Sequence, residues 1–275
     1  MDLLSPKTIK ELLAKHDAKP SKLMGQNFLI DAHALNKIVD SAQLDQQDTI
    51  LEVGPGMGIL TQALAKTVKK VIAIEKDRVM IKILKETLQT HNNVEVIQDN
   101  ALKFNPATCH LKPRGYKMVA NIPYYLTSPI IRKFLEEQTP PKEMVLMVQK
   151  EVAQRICARP PNMSILAVSV QFYATAKIIS YISKNCFWPA PKVDSAIIKI
   201  TPFETKKEVD AKAFFTVVKA GFLQPRKQLA NNLSKALKIN RERVNAWLLG
   251  NNIRSEQRAE TLSVDEWIAL TLSGP

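Results

Sequence analysis

With 275 residues, the chain is long enough for one large domain, alone or with a small second one, and 45% hydrophobic against 24% charged residues suits a globular protein with a sizeable core. Lys and Arg number 39 against 26 Asp and Glu, and the net charge of +13 points to a polyanionic partner, nucleic acid first, unless the lysines merely solubilise the surface. Three widely spaced cysteines (Cys109, Cys157, Cys186) without ligand spacing argue against a disulfide framework and a zinc site, so no metal is expected.

Residues 1–22, MDLLSPKTIKELLAKHDAKPSK, lack the apolar centre of a signal peptide, and Asp2, Glu11 and Asp17 are foreign to a transit peptide. No run approaches the roughly 20 apolar residues of a membrane helix, so a soluble, cytoplasmic protein is expected. From residue 49, β-branched runs alternate with helical periodicity. Strands are predicted at 49–53 (TILEV), 71–75 (VIAIE), 94–98 (VEVIQ), 116–120 (YKMVA) and 143–149 (EMVLMVQ). ILTQALAKTV and RVMIKILKETL between them space their apolar residues three and four apart, as helices do. Such alternation predicts an α/β fold with a mostly parallel, doubly wound sheet. AVSVQFYA (167–174) and VDSAIIKI (193–200) read as an antiparallel hairpin at one edge. Beyond TPFETKKE (201–208) the segments are amphipathic and helical only. Two domains are therefore expected, residues 1–205 and an all-α domain at 206–275, the latter with 12 basic and 7 acidic residues.

The first strand runs into Glu52-Val53-Gly54-Pro55-Gly56-Met57-Gly58, where glycines permit a tight turn and close approach of a ligand to the backbone. Glu75 ends the next strand and is placed to accept ribose hydroxyls. The order ExGxGxG resembles motif I of the class I S-adenosylmethionine methyltransferases, a Rossmann-like fold. Asp99, just past the third strand, stands where that superfamily meets the adenine amino group; a solvated loop aspartate is the bland alternative.

Asn121-Ile122-Pro123-Tyr124 follows the fourth strand and resembles the motif of methyltransferases that modify exocyclic amines of bases. An adenine N6 lone pair is delocalised into the ring, so the amine is a poor nucleophile. The Asn121 side-chain oxygen and the Pro123 carbonyl can each accept one N–H, which favours a pyramidal nitrogen with an available lone pair. Tyr124 can stack on a flipped base. Ser128-Pro129 reads as a helix start, with Ser as N-cap and Pro at N1.

These motifs, with Gly25-Gln26-Asn27-Phe28-Leu29 and Asp31, Gln149-Lys150-Glu151-Val152, the segment from Phe187-Trp188-Pro189 to Val193-Asp194-Ser195, AGFLQPRKQLANNL and Arg258 to Ser263, cover most of the chain. Together they resemble the rRNA adenine N6,N6-dimethyltransferases of the KsgA type. The resemblance implies S-adenosyl-L-methionine as cofactor, with Asn27, Leu29, Gly54, Glu75, Asp99 and Asn121 around it. It implies Phe187 on the adenine face opposite Tyr124, with Asn121 and Pro123 at the amine, and a substrate of two adjacent adenosines in the 3′-terminal hairpin of small-subunit rRNA within an immature 30S subunit. Trp188 reads as ordinary packing. RNA contacts are expected from Arg226 and Lys227, although Gln-Pro-Arg-Lys-Gln at 224–228 lacks one basic residue common in the family, and the 158–165 loop also departs from it. The alternatives are a large-subunit rRNA dimethyltransferase of the antibiotic-resistance type, which shares the NIPY chemistry, and a non-catalytic assembly factor. A monomer is expected.

Overall fold

The computed structural model describes residues 1–275 except Lys22 and Lys206. The chain begins with α1 (Pro6–Lys15), β1 (Phe28–Leu29), α2 (Ala32–Ser41), β2 (Thr49–Val53), α3 (Ile59–Ala65), β3 (Lys70–Glu75), α4 (Arg78–Thr87) and β4 (Val94–Gln98). It continues with β5 (Lys117–Asn121), α5 (Thr127–Glu136), β6 (Glu143–Gln149), α6 (Lys150–Ile156), α7 (Ile165–Gln171), β7 (Ala174–Ile182), β8 (Phe187–Trp188) and β9 (Ser195–Pro202). Four helices follow: α8 (Ala211–Gly221), α9 (Leu229–Leu237), α10 (Arg241–Gly250) and α11 (Val264–Ser273).

The chain divides into two compact units, Met1–Ala153 with Ala176–Pro202, and Gln154–Thr175 with Phe203–Pro275. In the first, the sheet order is β4-β3-β2-β5-β6-β9-β7. Strands β2 to β6 are mutually parallel where they pair, and β9 runs antiparallel to β6. The strand order reverses between β2 and β5, the place where open α/β sheets bind ligands at their carboxyl ends. The β2–β5 ladder stops at Leu51–Met118, so these strands part before their ends. Their side chains are apolar on both faces because helices cover both. Ile50, Val119, Val145, Met147 and Ile197 are fully buried in one layer with α2 and α3, each stabilising the fold by about 1.5–3 kcal/mol. At the opposite, amino-terminal edge, buried Lys117 reaches Asp48 (2.8 Å) and Glu143 (3.9 Å), and Lys199 reaches Glu143 (2.8 Å). That edge is held by charge; the carboxyl edge is left to the loops.

The second unit is helical. Phe172 stacks on Phe214 at 4.1 Å between ring centres, and Trp267, Leu229, Leu233 and Val244 fill the core around them. Here two expectations fail. Residues 167–173 form no strand: 165–171 is helix α7, and the outer neighbour of β9 is β7, which begins only at Ala174. Val168, Val170 and Phe172 alternate as a strand would, but Ser164 caps the segment by accepting the Ala167 N–H (3.2 Å). Burial of Ala167, Val168 and Phe172 against α8 outweighs β-propensity. A boundary at residue 205 consequently misplaces 154–175, which groups with the C-terminal helices.

Candidate active site

The loops at the carboxyl edge of the first unit enclose one cavity, and the chain forces their shape locally. Gly56 (φ +58°) turns its N–H to Glu75 Oε2 at 3.2 Å. Gly58 (φ +89°) is the N-cap of α3, and a Cβ there would lie 3.2 Å from both Leu84 and Leu88. Any side chain at position 58 meets a strained backbone and a crowded neighbour together. Gly54 faces the Pro123 ring, whose Cδ would stand 3.5 Å from an added Cβ.

Two carboxyls sit behind this turn. Glu75 Oε1 accepts the N–H groups of Lys76 and Asp77, both at 2.8 Å, which leaves its remaining acceptor capacity on Oε2 beside the Gly56 bond. Burial raises the Glu75 pKa; the three N–H bonds oppose the rise and the charge of Asp77 adds to it. Glu52, on β2, is 1% exposed and its Oε2 has no hydrogen-bond partner among the described residues. Burial pushes its pKa up to about 8, the Thr61 hydroxyl beside it opposes only part of the rise, and Glu75 adds a little more. The exposed Asp99 completes this side, its N–H donating to the Glu75 carbonyl at 3.0 Å.

Across the cavity, Asn121 ends β5 in register with Met147, and a single 3₁₀ turn, Tyr124–Leu126, follows Pro123. The Pro123 carbonyl accepts the Leu126 N–H (2.9 Å) and keeps its second lone pair. Helix α5 then starts at Thr127 with Leu126 as its N-cap, so Ser128 is not the cap that the Ser-Pro pair suggests. The Tyr124 hydroxyl shares a 2.8 Å hydrogen bond with that of Ser195. Burial raises the phenol pKa, partly opposed by that bond and reinforced by Asp194 and Glu151.

The third wall comes from a two-stranded ribbon. β1 and β8 pair antiparallel, Phe28 with Trp188 and Leu29 with Phe187. This joins the GQNFL and FWPAP segments, which lie far apart in sequence. Gln26 straps the ribbon's approach to the acidic side: its amide donates to Asp77 Oδ2 (2.8 Å), while its oxygen accepts the Ser21 N–H (2.8 Å). Asn27 donates to the Gly25 carbonyl (3.1 Å). Trp188 packs half-buried against the α1 layer with Lys10 5.5 Å above its ring, while Phe187 is packed within the core beside Leu29 and lines the cavity as a wall.

Asn27, Leu29, Gly54, Glu75, Asp99, Asn121, Pro123, Tyr124 and Phe187 thus all line the same cavity. Arg226 and Lys227 lie in the other unit, on an exposed turn between α8 and α9. Sequence reasoning missed Gln26, Asp77 and Ser195 as partners. Gln26 and Ser195 stood inside quoted motifs, but nothing local names what they bond. Among the described residues no group of three or more His, Cys, Asp or Glu could hold a metal, the three cysteines are free, and no helix is long and apolar enough to cross a membrane. Strand-end acceptors, glycine-lined backbone and a buried, unsatisfied carboxyl oxygen fit a polar, adenosine-containing cofactor.

This sheet, with its glycine turn and strand-end acids, is that of an S-adenosylmethionine-dependent methyltransferase. A family model described as "Ribosomal RNA adenine dimethylase" matches residues 18–272, and the chain belongs to that family. "Ribosomal RNA small subunit methyltransferase A" of Alkaliphilus oremlandii is 42% identical over 271 residues, 96% of this chain and 94% of that protein. The protein of the same name from Bacillus licheniformis is 41% identical over 284 residues, covering 98% and 96%. Among solved structures, a dimethyladenosine transferase from Plasmodium falciparum matches with a TM-score of 0.75 at 28% identity, covering 90% of this chain and 96% of that one. The 23S rRNA methyltransferase ErmE matches with 0.72 at 27%, covering 90% and 98%.

Proposed function

We propose that the protein transfers methyl groups from S-adenosyl-L-methionine to N6 of two adjacent adenosines in the 3′-terminal hairpin of small-subunit rRNA, giving N6,N6-dimethyladenosine. It acts in the cytoplasm, as a monomer, on an immature 30S subunit. The observation that carries the chemistry is the meeting of the Glu75–Asp99 side and the Asn121-Pro123-Tyr124 turn in one cavity. The choice of subunit follows the relatives, which carry the small-subunit name at about 42% identity over nearly the whole chain.

When bound, the cofactor supplies an electrophilic methyl group on a sulfonium sulfur. Glu75 would accept from the cofactor's ribose and Asp99 from its adenine amine, and Gly54, Asn27, Leu29 and Asn121 would border its methionine portion. Tyr124 stacks on the target base and Phe187 closes its other face. Asn121 Oδ1 and the free lone pair of Pro123 O each take one N–H of the target amine, which localises the nitrogen lone pair for attack. As the N–C bond formed, the S–C bond would break and leave a neutral thioether; the methylated nitrogen would then release one N–H proton to solvent, so no strong base is required and catalysis is largely positioning. Arg226 and Lys227 hold RNA phosphates from their exposed turn.

Labelled methyl transfer to unmethylated small subunits, with large-subunit rRNA in parallel and nucleoside analysis of both, tests this reading. Label as N6,N6-dimethyladenosine in small-subunit rRNA alone is the expected result. Label in the large-subunit rRNA would transfer the assignment to the resistance-type activity, and binding without label in either would leave an assembly factor.

A further inference from the structure

Ser195 opens β9 in register with Gln149 and is wholly buried, followed by fully buried Ala196, Ile197 and Ile198. A hydroxyl in so apolar a stretch is costly unless it is hydrogen-bonded, and its bond is to the Tyr124 hydroxyl, 2.8 Å away. The residue before it is tied down twice. Asp194 accepts the Lys150 N–H on its carbonyl (3.0 Å) and the Lys184 N–H on Oδ1 (3.1 Å). Ser195 therefore presents a hydroxyl from a fixed point of the sheet.

Tyr124 is differently placed. It is half-buried and rides on one 3₁₀ turn closed by the Leu126 N–H to Pro123 O bond. Two side-chain torsions separate its ring from that turn, and a bond at the phenol oxygen anchors the far end of the ring axis, which restrains the first of them and fixes where the ring sits. Burial raises the phenol pKa above its ordinary value.

We infer that Ser195 is a positioning residue for methyl transfer: through its hydrogen bond it holds the axis of the Tyr124 ring at the place where the target adenine stacks. This rests on the proposed stacking role of Tyr124. Ser195 is not among the residues lining the cavity, so its effect passes through Tyr124.

The test is a double-mutant cycle on the full chain, using single-turnover methylation of unmethylated small subunits and the KM for S-adenosylmethionine. Ser195→Ala and Tyr124→Phe, which delete the same bond from opposite ends, each slow transfer about three- to tenfold. Their KM for the cofactor stays within about twofold of wild type, and the double variant is no slower than the slower single one. A wild-type rate for Ser195→Ala, multiplied losses in the double variant, or a loss that appears as weakened cofactor binding each overturns the inference, the last by making Ser195 merely structural. Tyr124→Ala separates this from the reading beneath it, with an expected loss of about 100-fold. If Tyr124→Ala keeps the wild-type rate, the stacking role fails and Ser195 with it. If Tyr124→Ala is slow while Ser195→Ala is not, only the Ser195 inference fails.

Discussion

Asn121 is held by the sheet at its last paired position, one residue before the chain turns over the cavity. On the proposed reading its amide oxygen accepts from the reacting amine, so Asn121→Ala is expected to lower methyl transfer about 100-fold or more while cofactor affinity is largely kept. Labelled transfer and equilibrium binding on the same preparation check this, and undiminished turnover would remove Asn121 from the reaction. Glu52 makes a different prediction, of stability rather than rate. Its carboxyl titrates near 8 when folded against 4.5 as its ordinary value, so between these pH values the folded chain keeps a proton that the unfolded chain has lost. The stability this gives is complete below about 4.5 and declines as pH rises toward 8, at up to about 1.4 kcal/mol per pH unit. The thermal unfolding midpoint of the cofactor-free protein should thus fall from pH 5 to pH 8, and Glu52→Gln should flatten that slope. An identical slope in the variant would show that Glu52 is not the titrating group. The residues legible from sequence were those whose job is local. Glycines at positive φ and an acid at a strand end are fixed by the turn they make, whereas the partners Tyr124 and Ser195 lie 71 positions apart and Gln26 and Asp77 lie 51 apart. No pattern in either segment names the other.

Among elements, β2, β4 and β6 appear at the residues expected: β2 and β6 are short apolar runs buried on both faces with no competing period, and β4, an edge strand with Glu95 and Gln98 exposed, carries the period-two alternation of Val94 and Val96. The ribbon of β1 and β8 was not legible, since two-residue strands carry no periodicity and exist only through each other. Helix α7 was misread for the opposite reason, a strand-like alternation overruled by tertiary burial. The turn between α8 and α9 likewise depends on one interior side chain. Asn232, 2% exposed, donates from Nδ2 to the carbonyls of Gly221 (2.7 Å) and Gln224 (3.0 Å). Asn232→Ala strands both acceptors and should destabilise the second unit by about 2 kcal/mol. Denaturation followed by tryptophan fluorescence in a Trp188→Phe background, which leaves Trp247 and Trp267 of that unit as the emitters, reads this directly. An unchanged midpoint would mean that the turn holds itself.

For the whole molecule, the charge of +13 is the dominant long-range property. RNA affinity should fall steeply with salt through counterion release. Replacing Arg226 and Lys227 by alanine should weaken binding and reduce the log–log salt slope by about one to two, with cofactor affinity unchanged. Filter binding across a salt series would show it, and an unaltered slope would remove these two residues from the phosphate contacts. Two compact units were legible in outline because strand and helix periodicities occupy different stretches, but the division itself was not. The second unit takes in Gln154–Thr175 as well as the C-terminal helices. That interleaving has a consequence for anyone who cuts the gene. A fragment starting after residue 205 would leave Phe214 without Phe172, its stacking partner 4.1 Å away, and the core without Ala167 and Val168. During synthesis the same geometry obliges α7 to wait, its apolar face uncovered, until α8 has left the ribosome.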